Sequence, residues 1–331
     1  MEKTTNKEIN NKIINDGVKK LYDPFAVGSF LKSLDVAASR IKILLYKFKR
    51  YSDKIERPLN QPLYNISAAR YLEILSMLEN LSHRELKNDI SNIRQYTEWA
   101  MREDFCPRRH DVRERINIRE VDLTRTIKKQ IIPDITALKT LCDLIVGGKY
   151  IPTIVPIIIL LWIGIDKEEI TLLKTEDINI EQGVILTKKR DVLIPPLLNE
   201  FFSTYKKEEN IIAVEQIRTF GEKYVLVKNV SPFYIKYIVG ESTAKLYEDK
   251  PLKINLISSL SHEAFKKKLI NHPEYNNVDT TSIITSGVLY RVHTHGLSEF
   301  KRLETPNMTE AQFFDLEALY QQYIKTYKLQ K

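Results

Sequence analysis

Three cations, Lys188, Lys189 and Arg190, fall between two β-type runs, 184–187 and 192–194, and so crowd the tip of a tight hairpin. Cations held at a turn suit a phosphoryl group, whose oxygens they balance. A second basic group, Lys266, Lys267 and Lys268, follows His262 just inside a helix opened by Leu260 and Ser261. The N-terminal dipole of that helix also favours phosphate. The final helix carries Tyr320, Tyr323 and Tyr327. The first two extend an apolar stripe through Phe313, Leu316 and Leu319, which favours core packing. His293 and His295 have no carboxylate or third histidine at metal-ligating spacing. Gly147-Gly148-Lys149 lacks the rest of a P-loop, and no Ser, His and Asp order suggests a hydrolase. Neither metal nor cofactor is expected. The chemistry on offer is recognition of a polyanion.

Those residues need a scaffold, and the composition describes one. Only 10 glycines in 331 residues, with abundant Leu, Ile, Lys and Glu, favour a mostly helical chain. That length accommodates two domains with separate cores. A net charge of +8 and a pI near 9.1 suit nucleic acid. Cys106 and Cys142 fall in different predicted domains, so no disulfide framework or zinc spacing follows, and a reducing cytosol is expected. The polar N-terminus has no apolar core and does not read as a signal peptide. The longest apolar run, 151–165, is broken by Pro152 and Pro156 and is too short to span a bilayer. It is expected to be a buried core helix, and no membrane partner is expected.

Along the chain, residues 1–20 are polar and are expected to be loose at the start. Helices are predicted over 25–34, over 40–53 with Ile41, Leu44, Leu45 and Phe48 as its stripe, and over 67–78 with Ser67 as cap. Another starts at Ser82, with Leu86, Ile90, Ile93, Tyr96 and Trp99 on one face. The segment 56–62, holding Pro58 and Pro62, is expected to break the helix before it. Residues 108–119 carry five arginines interleaved with Asp111 and Glu114. They fit a DNA-crossing connector and a solvated linker with internal charge pairs about equally well. A helix ending at Gly147-Gly148, the buried helix, the hairpin, a β-type patch at 224–228 and an amphipathic helix over 308–328 complete the chain.

The stretch 161–196, LWIGIDKEEITLLKTEDINIEQGVILTKKRDVLIPP, resembles the opening of the catalytic domain of tyrosine recombinases (phage integrases). In that family a helix ends in Thr-Gly-Leu-Arg, continues Ile-Ser-Glu-Leu, and a basic hairpin returns to a Pro-ended strand. Gly164 and Ile165 stand at the Gly-Leu positions and Glu169-Ile170 at Glu-Leu, but the first catalytic arginine is Asp166. FLKSL (30–34), SRIKILLYKF (39–48) and SNIRQYTEWA (91–100) stand in the order of the family's small core-binding domain. The resemblance implies a fold that is mainly α with a small β-sheet. It also implies three segments: a helical DNA-binding domain at 1–107, a linker at 108–125, and a catalytic-like domain at 126–331.

In the same register the family's His-x-x-Arg falls on Ser282 and Thr285, and its Leu-Gly-His on Leu303-Glu304-Thr305. Phe314 falls at the nucleophile's place by strict spacing, with Tyr320, Tyr323 and Tyr327 as later candidates, and only Lys188 or Lys189 matches the hairpin lysine. Arg291 lies too far along its helix to face as the lost arginine would. An anion at the first arginine's place repels a scissile phosphate, so the resemblance implies a protein that binds double-stranded DNA without cutting it. Its DNA contacts would come from Arg40, Lys42, Lys47, His83, Arg84 and Lys87 in the small domain. In the large domain they would come from Lys188, Lys189, Arg190, His262, Lys266, Lys267 and Arg291. The implied role is a repressor that silences the lytic genes of a prophage in the bacterial cytoplasm, with self-association through the C-terminal helix. An active recombinase with divergent motifs is the alternative.

Overall fold

The computed structural model describes residues 6–67, 70–79, 82–107, 118–146, 151–206, 210–217, 221–228, 232–235, 251, 253–255, 257, 269, 271–275 and 277–329. The described fold is mainly helical, with one three-stranded antiparallel sheet and one two-stranded hairpin. The chain divides into two compact units. One is residues 1–126 with 314–322; the other is 127–313 with 323–331. No described helix is long and apolar enough to cross a membrane.

The first unit is a helical bundle around an aromatic core. Asp23 caps the helix Pro24–Ser33 by accepting from the Ala26 N–H at 2.9 Å, and Pro24 sits where no N–H is needed. The helices Ala38–Tyr51 and His83–Arg102 meet it through Phe30, Phe48, Tyr96 and Trp99, with Phe48 and Tyr96 ring centroids 5.0 Å apart. Ser82 caps the second of these as its sequence suggested.

One expectation fails here. The N-terminal stretch is not loose from 6 onward: it forms the helix Asn6–Gly17, which buries Ile14 and brings Gly17 against Leu45. Its apolar residues are diluted among Asn and Lys, so the stripe was faint. The 56–62 segment ends the preceding helix as expected, but only after two further turns. The chain passes through a π turn, Ser52–Glu56, and one more turn, Arg57–Leu59, before Asn60 ends it in the left-handed region at φ 48°. The widened turn accommodates Pro58, which lacks an N–H. The helix expected from Ser67 is described only as Tyr71–Met77.

The second unit is built around the helix Ile151–Ile163, whose residues 154–163 are all buried, as its apolar sequence requires. The helix Thr280–His295 crosses it so closely that a Cβ on Gly287 would lie 1.8 Å from the Trp162 carbonyl oxygen. Gly164 then turns the chain at φ +100°, a conformation that favours glycine. Asp166 opens the helix Lys167–Leu172. The sheet follows: β1 (Ile178–Asn179), β2 (Val184–Leu186) and β3 (Asp191–Leu193), in that order, with Ile178 opposite Ile185 and Ile185 opposite Val192. Ile178, Ile185, Val192 and Ile194 turn into the core. The expected patch at 224–228 is part of β5 (Gly221–Lys228), which pairs with β4 (Asn210–Ile217), a strand the sequence reading missed. The final helix runs Glu310–Tyr327, with Thr309 and Gln312 forming a capping box.

Candidate nucleic-acid interface

Asp166 does two jobs at the head of its helix. One side-chain oxygen accepts from the Glu169 N–H at 2.9 Å, and the other receives the ammonium of Lys189 from the hairpin tip. Burial raises the Asp166 pKa, but the bonds from Lys189 and from the Glu169 N–H outweigh it and hold the carboxyl below its usual range. Lys189 is raised in turn by that bond. Asp166 is therefore a helix cap bound to a lysine of the hairpin tip. Lys188 is exposed.

Arg190 and Arg291 converge behind this pair on one carboxylate. Arg291 Nε donates to both Glu304 oxygens at 2.9 Å, and its Nη1 donates to the Trp162 carbonyl. Arg190 Nη1 lies 3.2 Å from Glu304, and its Nη2 donates to the Gly164 carbonyl at 3.0 Å. Burial pulls the Arg291 pKa below its usual value; Glu304 opposes this and the neighbouring Arg190 charge adds to it. The Arg291 side chain, expected to contact DNA, is only 13% exposed and is held beside the Gly164 turn. Arg190 is half-buried in the same cluster. The carboxylate that holds both arginines lies thirteen residues from one and far from the other, a pairing that spacing alone could not reveal.

Of the other positions singled out by the resemblance, some are packed and some are open. Ser282 is buried at the start of its helix, where its N–H meets the Asp279 cap at 2.7 Å and its carbonyl accepts from Ser286 at 2.6 Å. Tyr320 and Tyr323 are buried, and the Tyr323 hydroxyl donates to the Pro133 carbonyl. Tyr327 donates to the Ile131 carbonyl at 2.8 Å, and burial pushes its pKa up to about 12. Phe314 is exposed. Among the described residues no group of His, Cys, Asp and Glu could hold a metal ion. Both cysteines are buried, and neither is in a disulfide.

In the first unit Arg40, Lys42, Arg84 and Lys87 are exposed. Arg40 also reaches Asn92 at 3.3 Å, bridging the two helices expected to face DNA. Lys47 is different. It and Arg50 both bind Asp89, whose side chain is fully buried, and Tyr51 donates to the same carboxylate at 2.7 Å. Burial, then Asp89, push the Tyr51 pKa upward. Lys47, expected to contact DNA, is thus tied into the bundle by Asp89. The available signal was an acid on an apolar stripe: Leu86, Asp89, Ile93 and Tyr96 share one face. His83 begins its helix, and its side chain lies outside the described atoms, as do His262, Lys266 and Lys267 entirely.

No protein-family model matches the chain, and no curated protein matches it. Among solved structures it is similar to the Tn1549 transposon integrase (residues 82–397) in complex with circular intermediate DNA, at 13% identity over 95% of each chain, with a TM-score of 0.39. A single-residue variant of that integrase with the same type of DNA gives 13% identity over 99% and 96% of the two chains, with a TM-score of 0.36. Another variant, in complex with transposon right end DNA, gives 12% identity over 99% and 96%, with a TM-score of 0.30. At such scores the likeness by itself establishes neither family nor activity.

Proposed function

We propose that the protein is a sequence-specific DNA-binding regulator built on a tyrosine-recombinase-like frame that has lost strand cleavage. Its role is to maintain prophage lysogeny by occupying operators and silencing lytic genes. The integrase-like master repressor of lysogeny in SPβ-type Bacillus phages is the kind of protein its residues resemble. One observation carries this reading. A carboxylate stands where a phosphate-gripping guanidinium is needed, and the hairpin lysine is already bound to it. A scissile phosphate entering there meets Asp166 and finds no free cation from that pair. The buried tyrosines and the carboxylate-bound Arg291 support the same conclusion. Exposed Arg40, Lys42, Arg84 and Lys87, with a net charge of +8, supply phosphate contacts that require no chemistry.

The test pairs two assays on the full chain. Titration against DNA fragments from its own genome should give salt-sensitive, non-covalent binding to a small set of sites. Incubation with a nicked suicide substrate should give no covalent product. An adduct abolished by Tyr320→Phe or Tyr323→Phe would make the protein an active recombinase. Absence of any salt-sensitive binding would leave only a protein-interaction scaffold.

A further inference from the structure

The small sheet of the second unit is unfinished along one edge. β3 is its last strand. Thr187 N–H donates to Arg190 O at 3.2 Å and Ile194 N–H to Gly183 O at 2.7 Å, which makes Ile185 and Val192 the bonded pair between them. Asp191 and Leu193 therefore aim their N–H and C=O groups away from β2, and no described residue bonds them.

β3 and the residues after it, 190–196, line a cleft of about 870 Å³ together with Ile180, Gln182 and Gly183 of the β1–β2 turn. Trp162, Tyr290, Phe300 and Leu303 border it too. Two large apolar side chains stand open beside it, Leu193 at 68% exposure and Leu303 at 53%. Trp162 Nε1 and the Asn199 side-chain oxygen are buried without a hydrogen-bond partner, and both residues line the cleft. Arg190 lies at the hairpin-tip end and the exposed Glu181 at the β1–β2 turn, roughly 13 Å away along the strand.

We propose that this cleft docks an extended segment of a partner protein, added beside β3 as a fourth strand. Backbone pairing at Asp191 and Leu193 supplies affinity. The recess beside Leu193 and Leu303 takes alternate apolar side chains, and the exposed charge of Glu181 at one end fixes direction. A second copy fits less well. The free edge is three residues long, bounded by Arg190 and by Pro195-Pro196, which offer no N–H to continue a ladder. A single strand enters such a recess; a second folded sheet does not.

The test pans a displayed library of random heptapeptides on the immobilised full chain, then measures the best synthetic peptide by fluorescence polarisation. Selected sequences should alternate apolar and polar residues. Leu193→Glu and Leu303→Glu should each weaken binding about tenfold or more with thermal melting unchanged. Methylating the peptide's backbone nitrogens at one alternate set of positions should abolish binding, and at the other set should leave it within about threefold. The proposal is overturned if no sequence pattern emerges, or if both methylation sets act alike. It is equally overturned if both variants bind normally, or if sedimentation shows a dimer that Leu193→Glu dissociates. None of these readouts involves DNA, so the outcome is independent of the repressor reading.

Discussion

Two single carboxylates, Asp89 and Glu304, each bind a pair of cations, and they set what the neighbouring basic residues can do. Glu304 is 11% exposed and faces Arg190 and Arg291 together. Glu304→Gln leaves two like charges close together and partly desolvated, so it should cost about 3 kcal/mol in urea unfolding. Adding Arg291→Met should recover much of that loss, a non-additivity that a double-mutant cycle reads directly. A double-variant loss equal to the sum of the two single losses would mean that the arginine and the carboxylate act independently. Asp89 works the same way on Lys47 and Arg50, which is why Lys47 and Lys42, five residues apart on one helix, have different fates.

At the level of elements, two close fits govern stability. The crossing of the helices Ile151–Ile163 and Thr280–His295 depends on Gly287 having no side chain. Gly287→Ala puts a methyl into the Trp162 carbonyl, and the helices must separate to admit it. We expect a loss of about 3 kcal/mol or more, seen as a lower Tm or as insoluble protein. The second fit is the π turn Ser52–Glu56. Glu56 is 1% exposed and accepts from the Leu63 N–H at 3.0 Å. Burial raises its pKa to about 7 from the usual 4.5; Leu63 opposes this, Asp23 adds to it and Arg57 opposes it. The fold therefore favours the protonated acid. Its contribution is full below about pH 4.5 and is lost as pH rises through about 7. Glu56→Gln keeps an acceptor for Leu63 without the charge. It should match the natural chain at pH 4 and exceed it by about 2 kcal/mol at pH 8. A pH-independent difference would remove the buried charge as the cause.

For the whole molecule, the excess of basic residues is a weaker guide to DNA contact than its sorting into bound and free cations. Lys42→Ala and Arg84→Ala should each weaken DNA binding and flatten the dependence of log K on log salt by about one unit, with stability unchanged. Lys47→Ala should do the reverse, lowering the unfolding midpoint while leaving the salt slope nearly intact. Equal slope changes for Lys42 and Lys47 would contradict the sorting. The C-terminal helix also bears on this scale. Its residues 314–322 belong to the first unit, where Gln322 bonds the Leu123 N–H at 2.6 Å and the Val121 carbonyl at 2.9 Å. Tyr323 and Tyr327 bond carbonyls of the second unit, Pro133 and Ile131.

Local pattern was enough for the helices over 24–33, 38–51 and 83–102, the buried helix at 151–163 and the hairpin at 184–193, because their apolar periods and turn residues lie within a few positions. The same local information placed an anion after Gly164 and left the last helix's tyrosines on an apolar stripe. Three things escaped it. The helix at 6–17 has few apolar residues, the π turn depends on Ser52 and Glu56 finding partners at Tyr22 and Leu63, and β4 exists only opposite β5. Which cations are spent was also invisible. Lys47 and Asp89 are 42 residues apart and Arg291 and Glu304 are 13, and a charge pair depends on distance in space. Sequence fixed the sign and number of the charges; folding alone decided which of them are left to meet a phosphate.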